Sequence, residues 1–243
     1  MSGGFDTSLG GAGSRFPDTT WQLVTRMHAT GDAEYRSGLE ILGGRYWKPI
    51  YHYVRIAWAR SNEDAKDLTQ AFFAWLIRGD VLKRFSPEKG SFRSYLKVLL
   101  KRFVSDQNDA MNALKRGGGV HVVTLDGLEE FQPDTSLTDP EHAFDKTWAI
   151  TVAKQAIEHV RERYKARGRE RQFRVYELYD LQPTSDKPTY ARIAEEIDIS
   201  ESDVRNQLFA VRQEIMAEIR QELSRTVSSG EELEGEWNEL FGG

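Results

Sequence analysis

The stretch TYARIAEEIDISESDVRNQLFAVR, residues 189–212, carries two helical patterns separated by three residues. Ile193, Ala194 and Ile197 share one face of the first pattern, Val204 and Leu208 one face of the second, and Asp198-Ile199-Ser200 stand between them. This spacing predicts a helix–turn–helix, with Ser200 capping the second helix and the small Ala194 permitting a close crossing. Position 198, where such turns often place Gly in a left-handed conformation, is Asp, which occupies that region at modest cost. The second helix is expected to run to about Val227. Its outward residues are Ser202, Asp203, Arg205, Asn206, Phe209 and Arg212. Arg and Asn suit bidentate contacts with guanine and adenine, whereas Glu201 and Asp203 only accept from cytosine or repel phosphate.

Upstream, apolar residues again recur at helical spacing and no segment alternates with period two for long, so the chain reads as all-α. Residues 1–16, rich in Gly and Ser, read as a disordered lead, and Pro17-Asp18-Thr19 as a helix start. Leu42, Tyr46, Ile50 and Val54 belong to a long amphipathic pattern interrupted near Gly43-Gly44 and Pro49, which predicts two helices or one kinked helix. Ser61 with Asp64 resembles a capping box before a helix that buries Leu68, Phe72, Trp75 and Leu76. A turn over Ser86–Gly90 precedes a helix from Ser91 to about Leu114. Residues 117–139, with Gly-Gly-Gly and acidic, Pro-containing text, read as an interdomain linker. Helical periodicity resumes at Pro140 through Phe144, Trp148, Val152, Ile157, Val160 and Tyr164. The expected partition is therefore a domain at 17–116, a linker at 117–139, a second domain at 140–227 and an acidic tail at 228–243. That tail holds five acids and no base, with Trp237, Leu240 and Phe241 among them; its sharper reading is a short helix folded back over a basic surface of the same chain.

The chain of 243 residues has no cysteine, which removes disulfides, thiolate nucleophiles and cysteine-based metal centres. Its five histidines form no HExxH or His-x-His pair, so no metal, cofactor or catalytic residue is assigned and a non-enzymatic role is expected. The absence of an 18-residue apolar run and of a secretory signal pattern points to a cytoplasmic protein without a membrane span.

The net charge of −5 conceals a segregation. Residues 45–116 carry fifteen Lys and Arg against seven Asp and Glu, a local excess of +8. Basic side chains interleaved with Phe85, Phe92, Tyr95 and Phe103 suit single-stranded nucleic acid, cations meeting phosphates and rings receiving unstacked bases; the plain alternative is a solvated helix face over core aromatics. A second basic run spans Arg161, Arg163, Lys165, Arg167, Arg169, Arg171 and Arg174.

Two blocks in this order resemble the extracytoplasmic-function subfamily of sigma-70-type bacterial RNA polymerase sigma factors. The first is Asn62-Glu63-Asp64-Ala65-Lys66-Asp67-Leu68-Thr69-Gln70-Ala71-Phe72-Phe73, followed by Gly90-Ser91-Phe92-Arg93-Ser94-Tyr95-Leu96 and a basic helix; the second is Tyr190–Ser200. The resemblance implies two small helical domains, a region 2-like bundle and a region 4-like helix–turn–helix domain, joined by a flexible linker, and a factor that directs core RNA polymerase to promoter DNA. It assigns polymerase binding, on the beta-prime clamp helices with the beta subunit as a further contact, to Asp64, Asp67, Leu68, Gln70, Phe72 and Phe73. It assigns recognition and melting of the −10 element to Phe85, Phe92, Arg93, Tyr95, Lys97, Lys101 and Arg102, and reading of the −35 element to Ser202, Arg205, Asn206, Phe209 and Arg212.

The chain departs from that pattern at Ala71, where Glu is common, at Tyr95, where Trp is usual, and along Asp203-Val204-Arg205-Asn206-Gln207. Loss of the acid near Thr69 makes this threonine a candidate phosphorylation site, adding a Ser/Thr kinase or an anti-sigma factor to the implied partners. Two other functions compete: a helix–turn–helix regulator that binds DNA without polymerase, and an all-helical adaptor or anti-sigma-like protein.

Overall fold

Apolar stripes at helical spacing build eight α-helices among the described residues of the computed structural model, which are 32–58, 61–78, 81–114 and 139–242. These are α1 (Asp32–Trp58), α2 (Asn62–Arg78), α3 (Phe92–Leu114), α4 (Pro140–Ala166), α5 (Glu170–Asp180), α6 (Tyr190–Ile197), α7 (Glu201–Ser224) and α8 (Gly230–Phe241). The expected lead at 1–16, the helix start at Pro17 and most of the linker at 117–139 lie outside the described residues.

Local chemistry explains the ends of these helices. Ser61 Oγ accepts the Asp64 N–H at 3.1 Å and donates to the Asp64 carboxylate at 2.8 Å, so Asp replaces the usual Glu of a capping box. Ser91 Oγ likewise accepts the Ser94 N–H at 3.2 Å at the start of α3. At the end of α4, Gly168 takes φ +63°, the Arg169 N–H reaches the Tyr164 carbonyl at 2.8 Å and the Gly168 N–H reaches that of Lys165 at 3.0 Å. Both bonds of a Schellman motif are thus made, and the left-handed residue between them is the one without a Cβ.

Pro49 lies inside α1 rather than between two helices. An internal Pro removes one backbone hydrogen bond, yet Leu42, Tyr46, Ile50 and Val54 on the same helix are all fully buried. Burial of each such side chain contributes about 1.5–3 kcal/mol, so the stripe outweighs the missing bond.

The residues divide into two packed units. The first contains α1, α2, α3, α4 as far as Thr151, and the chain from Leu223 onward; the second is Val152–Glu222. In the first, Tyr46 meets Phe92 edge-on at 5.7 Å and stacks on Trp148 at 6.3 Å, while Phe72 meets Phe103 at 5.3 Å. In the second, Val160 and Tyr164 of α4, Phe173 and Val175 of α5, Ile193 of α6 and Leu208 of α7 form the core.

This division corrects the expected plan of a region 2-like and a region 4-like domain joined by a flexible linker. Chain passage from one unit to the other falls at Thr151–Val152, inside α4, and at Glu222–Leu223, inside α7. The physical reason is visible in α4, where Phe144, Trp148, Val152, Ala156, Val160 and Tyr164 are buried at an unbroken four-residue interval. Ala156 takes the inward position expected of Ile157, which is only half-buried. Nor is 228–243 a tail: Ser229 caps α8, accepting the Glu232 N–H at 3.2 Å, and the helix belongs to the first unit.

Candidate functional site

The α6–α7 pair forms as its spacing predicts. Thr189 caps α6, accepting the Arg192 N–H at 3.3 Å, and Asp198 ends it at φ 57°, ψ 60°, in the left-handed region. Ile193, Ala194 and Ile197 point inward, as do Val204 and Leu208. Ser200 caps α7: its Oγ accepts the Asp203 N–H at 3.1 Å and donates to the Asp203 carboxylate at 2.7 Å, which also accepts the Ser200 N–H at 3.2 Å.

The Ser200 hydroxyl bond, then its backbone bond, holds the Asp203 carboxyl below its usual value. A depressed carboxyl contributes stability that is present above its unfolded pKa and lost as pH falls through the folded one. An NMR titration of Asp203 therefore gives a midpoint below the ordinary Asp value of about 3.9, and S200A moves it back up. Equal midpoints in the two proteins would dismiss the cap as its cause.

On the outer face of α7, Ser202, Arg205, Asn206 and Phe209 are exposed, Phe209 at 65%. Arg212 is committed elsewhere: its Nε and Nη2 grip the Asp180 carboxylate at 2.7 and 2.9 Å, and this bond, against the effect of burial, raises its pKa. Acids surround the turn, with Glu195, Glu196, Asp198, Glu201 and Asp203 all exposed. Part of the basic run after Glu158 is also paired within its unit. Arg161 Nε bonds Glu177 at 3.1 Å, Arg163 bonds Glu218, Arg171 donates to the Ile197 carbonyl at 2.6 Å and Arg174 bonds Glu177 at 3.2 Å. Arg161, Arg171 and Arg174, with Phe173, line a cavity of about 570 Å³ whose cations face Glu162, Glu170, Glu177 and Glu196.

The residues assigned to the −10 element occupy a different setting. Phe92 is fully buried and Phe85 nearly so, the rings meeting edge-on at 5.5 Å. Tyr95 is half-buried against Phe85 and its hydroxyl donates to the Val81 carbonyl; burial raises its pKa. Arg93 has no exposed surface. Its Nε donates to Glu236 at 2.7 Å, its Nη2 to Glu236 at 3.1 Å and to Glu239 at 2.7 Å, and its Nη1 to Asp145, with the guanidinium 5.8 Å from the Trp148 ring centre. Burial pulls its pKa down, but the Glu236 bonds and the three carboxylate charges outweigh that and raise it. Lys97 bonds Asp145 at 2.8 Å, Lys101 bonds Glu141 at 3.2 Å, and Arg102 is exposed.

On α2, Asp64, Asp67 and Gln70 are exposed, whereas Leu68, Phe72 and Phe73 are buried. Thr69 is fully buried, its hydroxyl donating to the Ala65 carbonyl at 2.7 Å. A kinase cannot reach that hydroxyl, so the kinase partner is corrected.

Sequence spacing showed neither the Arg93 cluster nor a second one, where His159, Glu218 and Glu222 bring potential metal-ligand atoms within 4.8 Å of one another. His159 Nδ1 lies 3.2 Å from Glu218, but Arg163 also bonds that carboxylate, so a guanidinium already supplies the positive charge. The one legible sign of the Arg93 cluster was the run of acids after Ser228.

No family model, curated protein or solved structure matches the chain. The resemblance to sigma factors is corrected on that finding and on the fold, because the linker-joined architecture it requires gives way to units connected through continuous helices. With it fall promoter-directed initiation and the implied polymerase, promoter-DNA and anti-sigma partners. Pairing within the protein is the physical reason on the DNA side: several cations meant for phosphate or bases already hold carboxylates. What the fold and site define is an all-α protein in which α7 exposes Phe209 and Met216 among the polar residues of its outer face. No described helix is long and apolar enough to cross a membrane.

Proposed function

We propose that the chain is a non-enzymatic helical adaptor that docks another protein along the outer face of α7. The observation carrying this reading is Phe209, 65% exposed, with Met216 42% exposed seven residues on. Positions 209, 213 and 216 line one side of a helix, and Ala210, Gln213 and Ala217 are exposed beside them. Exposed Phe and Met with Arg205 one turn away are residue types enriched at protein interfaces. The partner this stripe fits is an amphipathic helix whose apolar ridge covers Phe209 and Met216 and whose acid meets Arg205.

A photo-crosslinking amino acid at Gln213, introduced into the full chain in its native host, tests the reading. The expected result is one dominant protein adduct, other than a polymerase subunit, that F209S abolishes. A buried aromatic anchor contributes about 2 kcal/mol, roughly 30-fold in affinity. Adducts with DNA or polymerase, or a protein adduct indifferent to F209S, would overturn it.

A further inference from the structure

Helix α8 buries one hydrophobe, Leu233, keeps Trp237, Leu240 and Phe241 half-buried, and is held by charge. Of its twelve residues only Leu233 and Glu236 are buried. Its other principal hold is ionic: Glu236 and Glu239 close on the Arg93 fork, and Glu239 also lies 3.8 Å from Lys97. Leu233, Glu236 and Glu239 stand three residues apart along one side of the helix, so the docking face reads Leu-x-x-Glu-x-x-Glu.

The preceding chain is fixed. Thr226 accepts the Phe92 N–H at 3.1 Å and Val227 is buried, which leaves Ser228-Ser229 as the pivot. The helix is also capped at its own start, the Glu232 carboxylate accepting the Ser228 N–H at 2.8 Å while Ser229 accepts the Glu232 N–H. An isolated helix of this length is marginal in water, so α8 depends on its contacts with the rest of the unit to stay formed.

We propose that α8 is the displaceable occupant of an acceptor for acidic helices, formed by Arg93, Lys97 and Trp148. The external ligand is an amphipathic helix of another protein that presents Leu-x-x-Glu-x-x-Glu and competes with α8. Charge complementarity supports this: Asp145 takes Arg93 Nη1 and bonds Lys97, and the remaining Nε and Nη2 edge of the guanidinium faces the paired carboxylates of the helix. While α8 is seated, the apparent affinity for that ligand is reduced by the closed fraction.

The test uses the full chain and a fluorescein-labelled peptide of residues 228–243. Hydrogen exchange of the wild-type chain is expected to show α8 amides opening faster than those of the α3 core. The variant E236Q/E239Q, with a weakened internal occupant, is expected to bind the peptide at least tenfold more tightly than the wild type. E239Q alone, which keeps both Glu236 bonds, gives a smaller gain and guards against a double variant that fails to fold. A peptide carrying Gln at both positions is expected not to bind. The proposal is overturned by α8 amides as protected as those of α3, by equal binding of both peptides, or by folded variants that bind neither. Exchange of α8 between two copies, seen as a wild-type dimer in place of peptide capture, would also overturn it.

Discussion

Replacing Arg93 by Met lowers the stability of the chain by about 3 kcal/mol in urea unfolding. Removing one partner from a buried ion cluster costs about 3–5 kcal/mol, because the remaining charges stay desolvated without compensation. Here the abandoned groups are Asp145, Glu236 and Glu239, with Lys97 beside them. The low end of the range applies because the Glu236 and Glu239 carboxylates can swing into water with α8, while Asp145 keeps its 2.8 Å bond to Lys97. Arg93→Lys retains the charge but loses the fork that serves three carboxylates, so it recovers only part of the loss. Adding E236Q and E239Q to the Met variant recovers more, since the stranded charges are gone. A loss below 1 kcal/mol for the Met variant, with no further effect of the two Gln changes, would show that the cluster contributes little.

The second large effect is expected at Phe72. This ring is fully buried and meets Phe73, Trp75 and Phe103 at centroid distances of 6.3, 5.8 and 5.3 Å. Truncation to Ala leaves a cavity that neighbouring rings cannot fill, and such changes cost about 3–5 kcal/mol. Leu, which keeps most of the volume, is expected to cost about 1.5 kcal/mol or less. Gln70→Ala, on the exposed side of the same helix, serves as the reference and stays within about 0.5 kcal/mol. Thermal and urea unfolding measure all three. If Phe72→Ala cost no more than the Leu variant, the inward placement of this ring would be refuted.

Much of the secondary structure was legible in the sequence because it depends on neighbours a few residues apart. The capping pairs Ser61–Asp64 and Ser200–Asp203, the end of α6 at Asp198 and the inward stripe of Ile193, Ala194 and Ile197 are all set by such contacts. Pro49 left open whether two helices or one kinked helix would form. Its local effect is to break a helix, but four buried side chains on the same helix prevail over it.

The candidate site was less legible. Arg93 looked like one of many phosphate-seeking cations, and Phe92 and Tyr95 like rings awaiting bases, because a sequence lists charge and aromaticity without direction. Exposure of Phe209 could be guessed from helical spacing, but that Arg212 is spent on Asp180, 32 residues away, could not.

By itself the sequence determined that the described residues are helical, where α3 begins and ends, and which turn joins α6 to α7, since these follow from dihedral preferences, caps and apolar periodicity; α7 was expected to reach about Val227 and ends at Ser224. Only the tertiary structure decided that the units are joined inside α4 and α7, which base the acidic end returns to, and which cations remain outside. Those outcomes depend on meetings such as Arg93 with Glu236, 143 residues apart. Coulomb attraction and burial select such partners in space, and nothing in local spacing encodes the choice.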